Sequence, residues 1–222
     1  MRIVPPVTVL ASALTATLAL VACNGGGFGS NFEGDVTMKT TRPNGPPSSM
    51  TIKAKGDKIR LEMPTPDGKV ASAIYMPQDN KLVVLLDAQK TAMDMNFASP
   101  NAPQPNTNAQ TSAIDKTGKK ETIAGVSCED WVIKDPSGSR TETCVAQGLA
   151  YLDLDSLRRG GGGAPSWKTE MRANKTFPLR SVEYDKDGKE RTRVEVTEVK
   201  REKIDDAQFE VPEGYSRMPV RR

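Results

Sequence analysis

Three cysteines, nine methionines and no histidine bound the chemistry open to this chain of 222 residues. Without histidine the commonest general base, the commonest metal ligand and any Ser–His or Cys–His nucleophile pair are missing. Most hydrolase mechanisms therefore have no centre here, and no catalytic residue is expected. Cys23 stands apart from the other two cysteines. It closes the stretch Leu20-Val21-Ala22-Cys23, behind Arg2 and an uncharged apolar run from Val7 to Val21. Such a run reads as the h-region of a signal peptide, too short to span a bilayer comfortably. Small residues before a cysteine at that place read as a lipobox, which predicts cleavage after Ala22 and acylation (diacylglycerol, palmitate) of Cys23. Ordinary A-x-A-like cleavage with an incidental Cys23 is the alternative.

Cys128 and Cys144 then remain as an even pair in an oxidising compartment, which predicts a disulfide. A hairpin turning at Asp135-Pro136-Ser137 would set them directly opposite each other. A metal pair would need histidine or a further thiol, so no metal and no cofactor are expected. Asp185, Asp187 and Glu190 lack the spacing of a calcium loop and read as hairpin-turn chemistry. Gly160 to Gly163 lack the Lys-Ser/Thr of a phosphate loop and read as a hinge.

The remaining candidates are soft and apolar. Met38, Met63, Met76, Met93 and Met95 fall on expected strands, several on the apolar side of the alternation, and Trp167 falls on an expected helix. Methionine is flexible and polarizable, so a methionine-lined hollow would accept varied hydrophobic guests. The competing reading is that these residues fill an ordinary core. Arg217, Arg221 and Arg222 read as a solvated tail.

Residues 1–22 read as the leader, 23–31 as the lipidated cysteine with a Gly-rich tether, and 32–222 as one domain. The leader removes only Arg2 from a total of 31 basic and 28 acidic residues. A near-neutral remainder with interspersed signs argues against a nucleic-acid partner. From Phe32 onward, period-two alternation predicts roughly ten strands in a meander. Ala98 to Lys120 reads as a long polar loop, Ile123 to Lys134 and Arg140 to Ala146 as the cysteine hairpin. Gly148 to Arg159 and Ala164 to Lys175 read as two short helices. The expected fold class is mainly β: a large curved antiparallel sheet with two short covering helices.

The stretches Lys55-Gly56-Asp57-Lys58-Ile59-Arg60, Gly118 to Glu129 and Cys144 to Leu149 resemble a bacterial secreted family, domain of unknown function 4412. The close, Phe209 to Tyr215, resembles the ending of lipoprotein-sorting proteins of the LolA and LolB type. The wider resemblance implies a half-open barrel whose hollow receives acyl chains or related apolar ligands, with no catalytic residues to carry over. Asn24 after the cysteine resembles lipoproteins sent to the outer membrane. The resulting expectation is a non-enzymatic envelope lipoprotein, anchored through its N-terminal lipid and facing the periplasm. It would bind or carry an apolar ligand, lipid or lipoprotein. The alternative is a structural or protein-interaction module whose sheet is filled by its own side chains.

Overall fold

The computed structural model describes residues 28, 31–65, 67–76, 81–96, 112–149 and 166–218. The leader, Cys23, the Gly160 to Gly163 run, nearly all of the first expected helix and most of the expected 98–120 loop lie outside these residues. The described chain is mainly β, as expected, with a single large open sheet. Twelve strands form it: β1 (Glu33–Arg42), β2 (Gly45–Lys55), β3 (Lys58–Pro64), β4 (Val70–Met76), β5 (Lys81–Leu86), β6 (Thr91–Asn96), β7 (Ala113–Ile123), β8 (Val126–Lys134), β9 (Arg140–Gln147), β10 (Thr176–Tyr184), β11 (Glu190–Arg201) and β12 (Ser216–Met218). Their order is β12-β6-β5-β4-β3-β2-β1-β11-β10-β9-β8-β7. Every pairing is antiparallel except the short parallel contact of β12 with β6. A twisted open sheet of this many strands lies beyond the usual size at which such sheets stay open without curling.

Two runs of antiparallel neighbours, β1 to β6 and β7 to β11, meet where β1 lies beside β11. Gly34 makes that meeting possible: at φ +151° a Cβ there would stand 2.1 Å from the Lys200 carbonyl oxygen. Any side chain would push the two strands apart.

Several boundaries differ from the sequence reading. β2 reaches back to Gly45 through the prolines, and Pro46 and Pro47 fall in the register shift between Thr40↔Ser48 and Arg42↔Gly45. Proline has no N–H to give a ladder, so an irregular edge is where it fits. The end of the expected loop is strand: β7 runs through Lys116 to Lys120, and its polar, exposed side chains hide the alternation. The stretch expected as one strand from Ile123 to Lys134 is broken by a two-residue turn. Ala124 (φ +48°) and Gly125 (φ +78°) both take left-handed backbone there, as the turns that match strand twist require.

One α-helix is described, α1 (Ser166–Ala173), within the span expected for the second helix. It closes where Thr176 Oγ1 donates to the Met171 carbonyl at 3.0 Å. The C-terminal segment crosses one face of β4 to β6: Ile204 and Phe209 are buried against Ile74, Val83, Leu85 and Ala92. Lys55 Nζ holds the Ile204 carbonyl at 2.9 Å. Arg217 is no free tail, since it reaches Asp94 at 3.3 Å. Among the described residues, no helix is long and apolar enough to cross a membrane.

Candidate functional site

Strand alternation sorts the sheet into two unlike faces. On the first, Val36 and Met38 of β1, Ile52 and Ala54 of β2, Ile59 and Leu61 of β3, Ala73 of β4 and Leu82 of β5 are buried together. The same cluster continues past the β1/β11 junction through Val196, Leu179, Cys144, Ala146, Cys128, Val126 and Ile123. One apolar surface thus runs along the sheet from β5 to β7. The middle of the opposite face is ionic: Lys53 meets Asp35 at 2.9 Å and Arg60 meets Glu62 at 2.8 Å. Only its two ends are apolar, one under the C-terminal segment and one under α1.

The candidate residues distribute unevenly over this plan. Met38 is buried on the first face, with Met50 as its cross-strand partner. Met95 packs on the same cluster, opposite Leu82. Met93 is half-buried and pairs with Val84, which also packs on that cluster. Met63 follows Leu61 at the end of β3 and is 43% exposed. Met76 ends β4, and its side chain lies outside the described residues. Trp167 does not join them. It packs with Met171 on Trp131, Ile133 and Val145. Trp131 and Ile133 are the odd positions of β8 and Cys128 is even, so α1 covers the opposite face from the methionines.

The cysteines form a disulfide with Cα atoms 5.4 Å apart. They are not directly opposite, as the spacing suggested. The β8–β9 hairpin is centred at Ser137 rather than Pro136, so Cys144 faces Asp130, and Glu129 faces Val145. The bridge therefore runs diagonally between the two strands.

Sequence reasoning missed the charged group beside it. Arg180 Nη1 donates to Glu121 Oε2 at 2.6 Å and Nη2 to Asp130 Oδ1 at 3.2 Å. Lys119 Nζ stands 3.5 Å and 3.7 Å from the same two carboxylates. A signal was present: Glu129 and Asp130 are consecutive acids in an alternating strand, so one of them must stand on the apolar side. Both carboxylates lie close to Cys144 Sγ, but that sulfur is spent in the disulfide. Arg180 occupies the oxygens that a cation would need, so the group reads as an ion cluster rather than a metal site.

The Arg180 hydrogen bond holds the Glu121 carboxyl down at about 2, against an ordinary 4.5. Burial, and then the Glu121 charge, push Asp130 above its ordinary value. For Glu121 the unfolded chain takes the proton first as pH falls. Its contribution to stability is full above about 4.5 and drains away toward about 2. Asp130 works in the opposite sense, because its folded form takes the proton first. Glu121→Gln should therefore lower stability at neutral pH by about 1–2 kcal/mol and flatten the loss between pH 4.5 and 2. Urea midpoints measured across that range check this.

Comparison with known families places the chain. Residues 32–215 match the family described as Domain of unknown function (DUF4412). The chain belongs to the DUF4412 family. No curated protein matches its sequence. Among solved structures, this DUF4412 domain is similar to an uncharacterized conserved protein from Thermus thermophilus, at 13% identity and TM-score 0.48, over 84% of this chain and 91% of that one. A structure titled as the Pseudomonas aeruginosa MucA/MucB complex matches at 16% identity and TM-score 0.47, over 82% of this chain and 56% of that chain. A LolA superfamily protein from Nitrosomonas europaea matches at 12% and 0.38, over 85% and 94%. Identities this low carry no residue role from those proteins to this DUF4412 domain.

Proposed function

We propose that this chain is an envelope lipoprotein, anchored through Cys23, whose sheet binds or carries an apolar ligand such as a lipid or a lipoprotein acyl chain. The supporting observation is the asymmetry of the sheet. One face carries a single apolar cluster from Leu82 on β5 to Ile123 on β7, with methionines at Met38, Met50 and Met95, while the middle of the other face is ion-paired. Flexible thioethers along such a surface can follow guests of varied shape. The Val7 to Cys23 stretch supports the anchor, and Asn24 supports an outer-membrane address facing the periplasm. No part of this reading calls for an enzymatic step.

Phe28, Phe32 and Leu149 also pack on that cluster. This favours the alternative, in which the domain fills its own hollow and acts as a structural or protein-interaction module. Native mass spectrometry of the protein extracted from its membrane separates the two. The carrier reading expects a discrete acyl-lipid adduct beyond the mass of the N-terminal anchor. Only the bare lipoprotein mass, across several mild detergents, would favour the self-filled module.

A further inference from the structure

We propose that Phe28 is a clip that fixes which end of the domain meets the bilayer; this rests on the reading that Cys23 carries lipid. The Gly-rich stretch around Phe28 has the composition of a loose tether, yet Phe28 itself is fully buried. Its ring stands edge-on to Phe32 at 4.9 Å and to Phe177 at 5.8 Å between centroids. Its N–H donates to the Gln147 carbonyl at 2.7 Å, and its own carbonyl accepts from Arg201 Nη2 at 3.0 Å. Side chain and both backbone groups are thus held by β9, β10 and β11. A spacer needs none of these contacts.

The consequence follows from chain length. Cys23 precedes Phe28 by five residues, a reach of at most about 18 Å even if fully extended. Without the clip the chain would be free as far as Phe32, nearly doubling that reach. Phe28 docks where β9 and β11 end and β1 and β10 begin. That end of the sheet is held against the headgroup region. The hairpin tips at Asp135–Ser139 and Asp185–Lys189 lie at the other end of strands roughly 30 Å long and point away from the membrane. The partner of the Phe28 end is thus the bilayer that holds this chain's own acyl chains, and the tips are left for contacts in the periplasm.

The test uses the full lipidated protein in phosphatidylethanolamine–phosphatidylglycerol vesicles with a headgroup energy-transfer acceptor. A donor dye is attached at Lys203→Cys, two residues past Arg201, or at Asp187→Cys, at the far end of β11. Transfer from position 203 should be several-fold higher than from 187. A ten-residue Gly/Ser insertion between Gly27 and Phe28 lengthens the reach while leaving the Phe28 contacts in place. It should erase the difference without changing the melting temperature. Phe28→Ser, which frees only the stretch up to Phe32 at the same end, should reduce the difference, with circular dichroism reporting whether the sheet is kept. Equal transfer from both positions in the wild-type chain, or a difference that survives the insertion, overturns the clip. Protein that fails to partition into vesicles at all overturns the lipid anchor instead.

Discussion

Replacing Trp131 with alanine should cost about 3–5 kcal/mol, the range for deleting a large buried aromatic. Trp131 is 4% exposed and lies at the centre of the cluster that seats α1, touching the group formed by Ile133, Val145, Trp167 and Met171. Lys116 Nζ also sits over its ring, 4.5 Å from the centroid. An eight-residue helix is too short to hold itself together in water, so α1 depends on this seat. The variant should lose helical circular dichroism and lower its urea midpoint together. Trp131→Phe should cost much less. Its Nε1 has no hydrogen-bond partner among the described residues, so phenylalanine removes a buried donor along with some volume. Equal losses in the two variants would show that the ring size, not the burial of α1, sets the effect.

Removing the Cys128–Cys144 bridge through the double alanine variant should lower stability by about 3 kcal/mol, from the chain entropy released by a loop of this length. The two cysteines are separated by 16 residues and both are buried on the apolar face. The bridge locks β8 to β9 beside the cluster of Glu121, Asp130 and Arg180. Its loss should therefore also weaken the ion pairs that set Glu121's low pKa. Chemical denaturation of the variant against the oxidised protein measures the first effect. The acid limb of the same curves reads the second, since the loss between about 4.5 and about 2 should flatten as Glu121's folded carboxyl moves back toward its ordinary value. Two free thiols titrated in the unfolded, unreduced wild-type protein would contradict the bridge itself.

How much of this was legible in the sequence depended on whether one strand's pattern was enough. β4, β5 and β6 are short, mostly apolar stretches set between turn residues, so their existence as strands could be read from the sequence. β7 has the sequence of a loop because it is an edge strand with both sides largely in solvent, so alternation has nothing to report. The break at Ala124-Gly125 was hidden because alanine rarely takes left-handed backbone. Met38 and Met95 were legible as apolar-face residues from parity alone. Trp167 was misplaced because helical spacing gives the buried stripe of α1 but not the face of the sheet it lands on. That is decided by Trp131 and Ile133, more than thirty residues earlier in the chain. The ion cluster draws on β7, β8 and β10, so only the order of strands brings it together.

Whether the apolar face receives an apolar guest is read out by the binding of an apolar fluorescent probe. Wild-type protein should bind such a probe saturably at one class of site. Met95→Glu should bind at least about tenfold more weakly, because an unpaired carboxylate at that surface must be neutralised or exposed. Its circular dichroism should be unchanged. A wild-type protein that never binds the probe, together with a Met95→Glu variant that unfolds, would show that the methionines are core filler and that the sheet holds only itself.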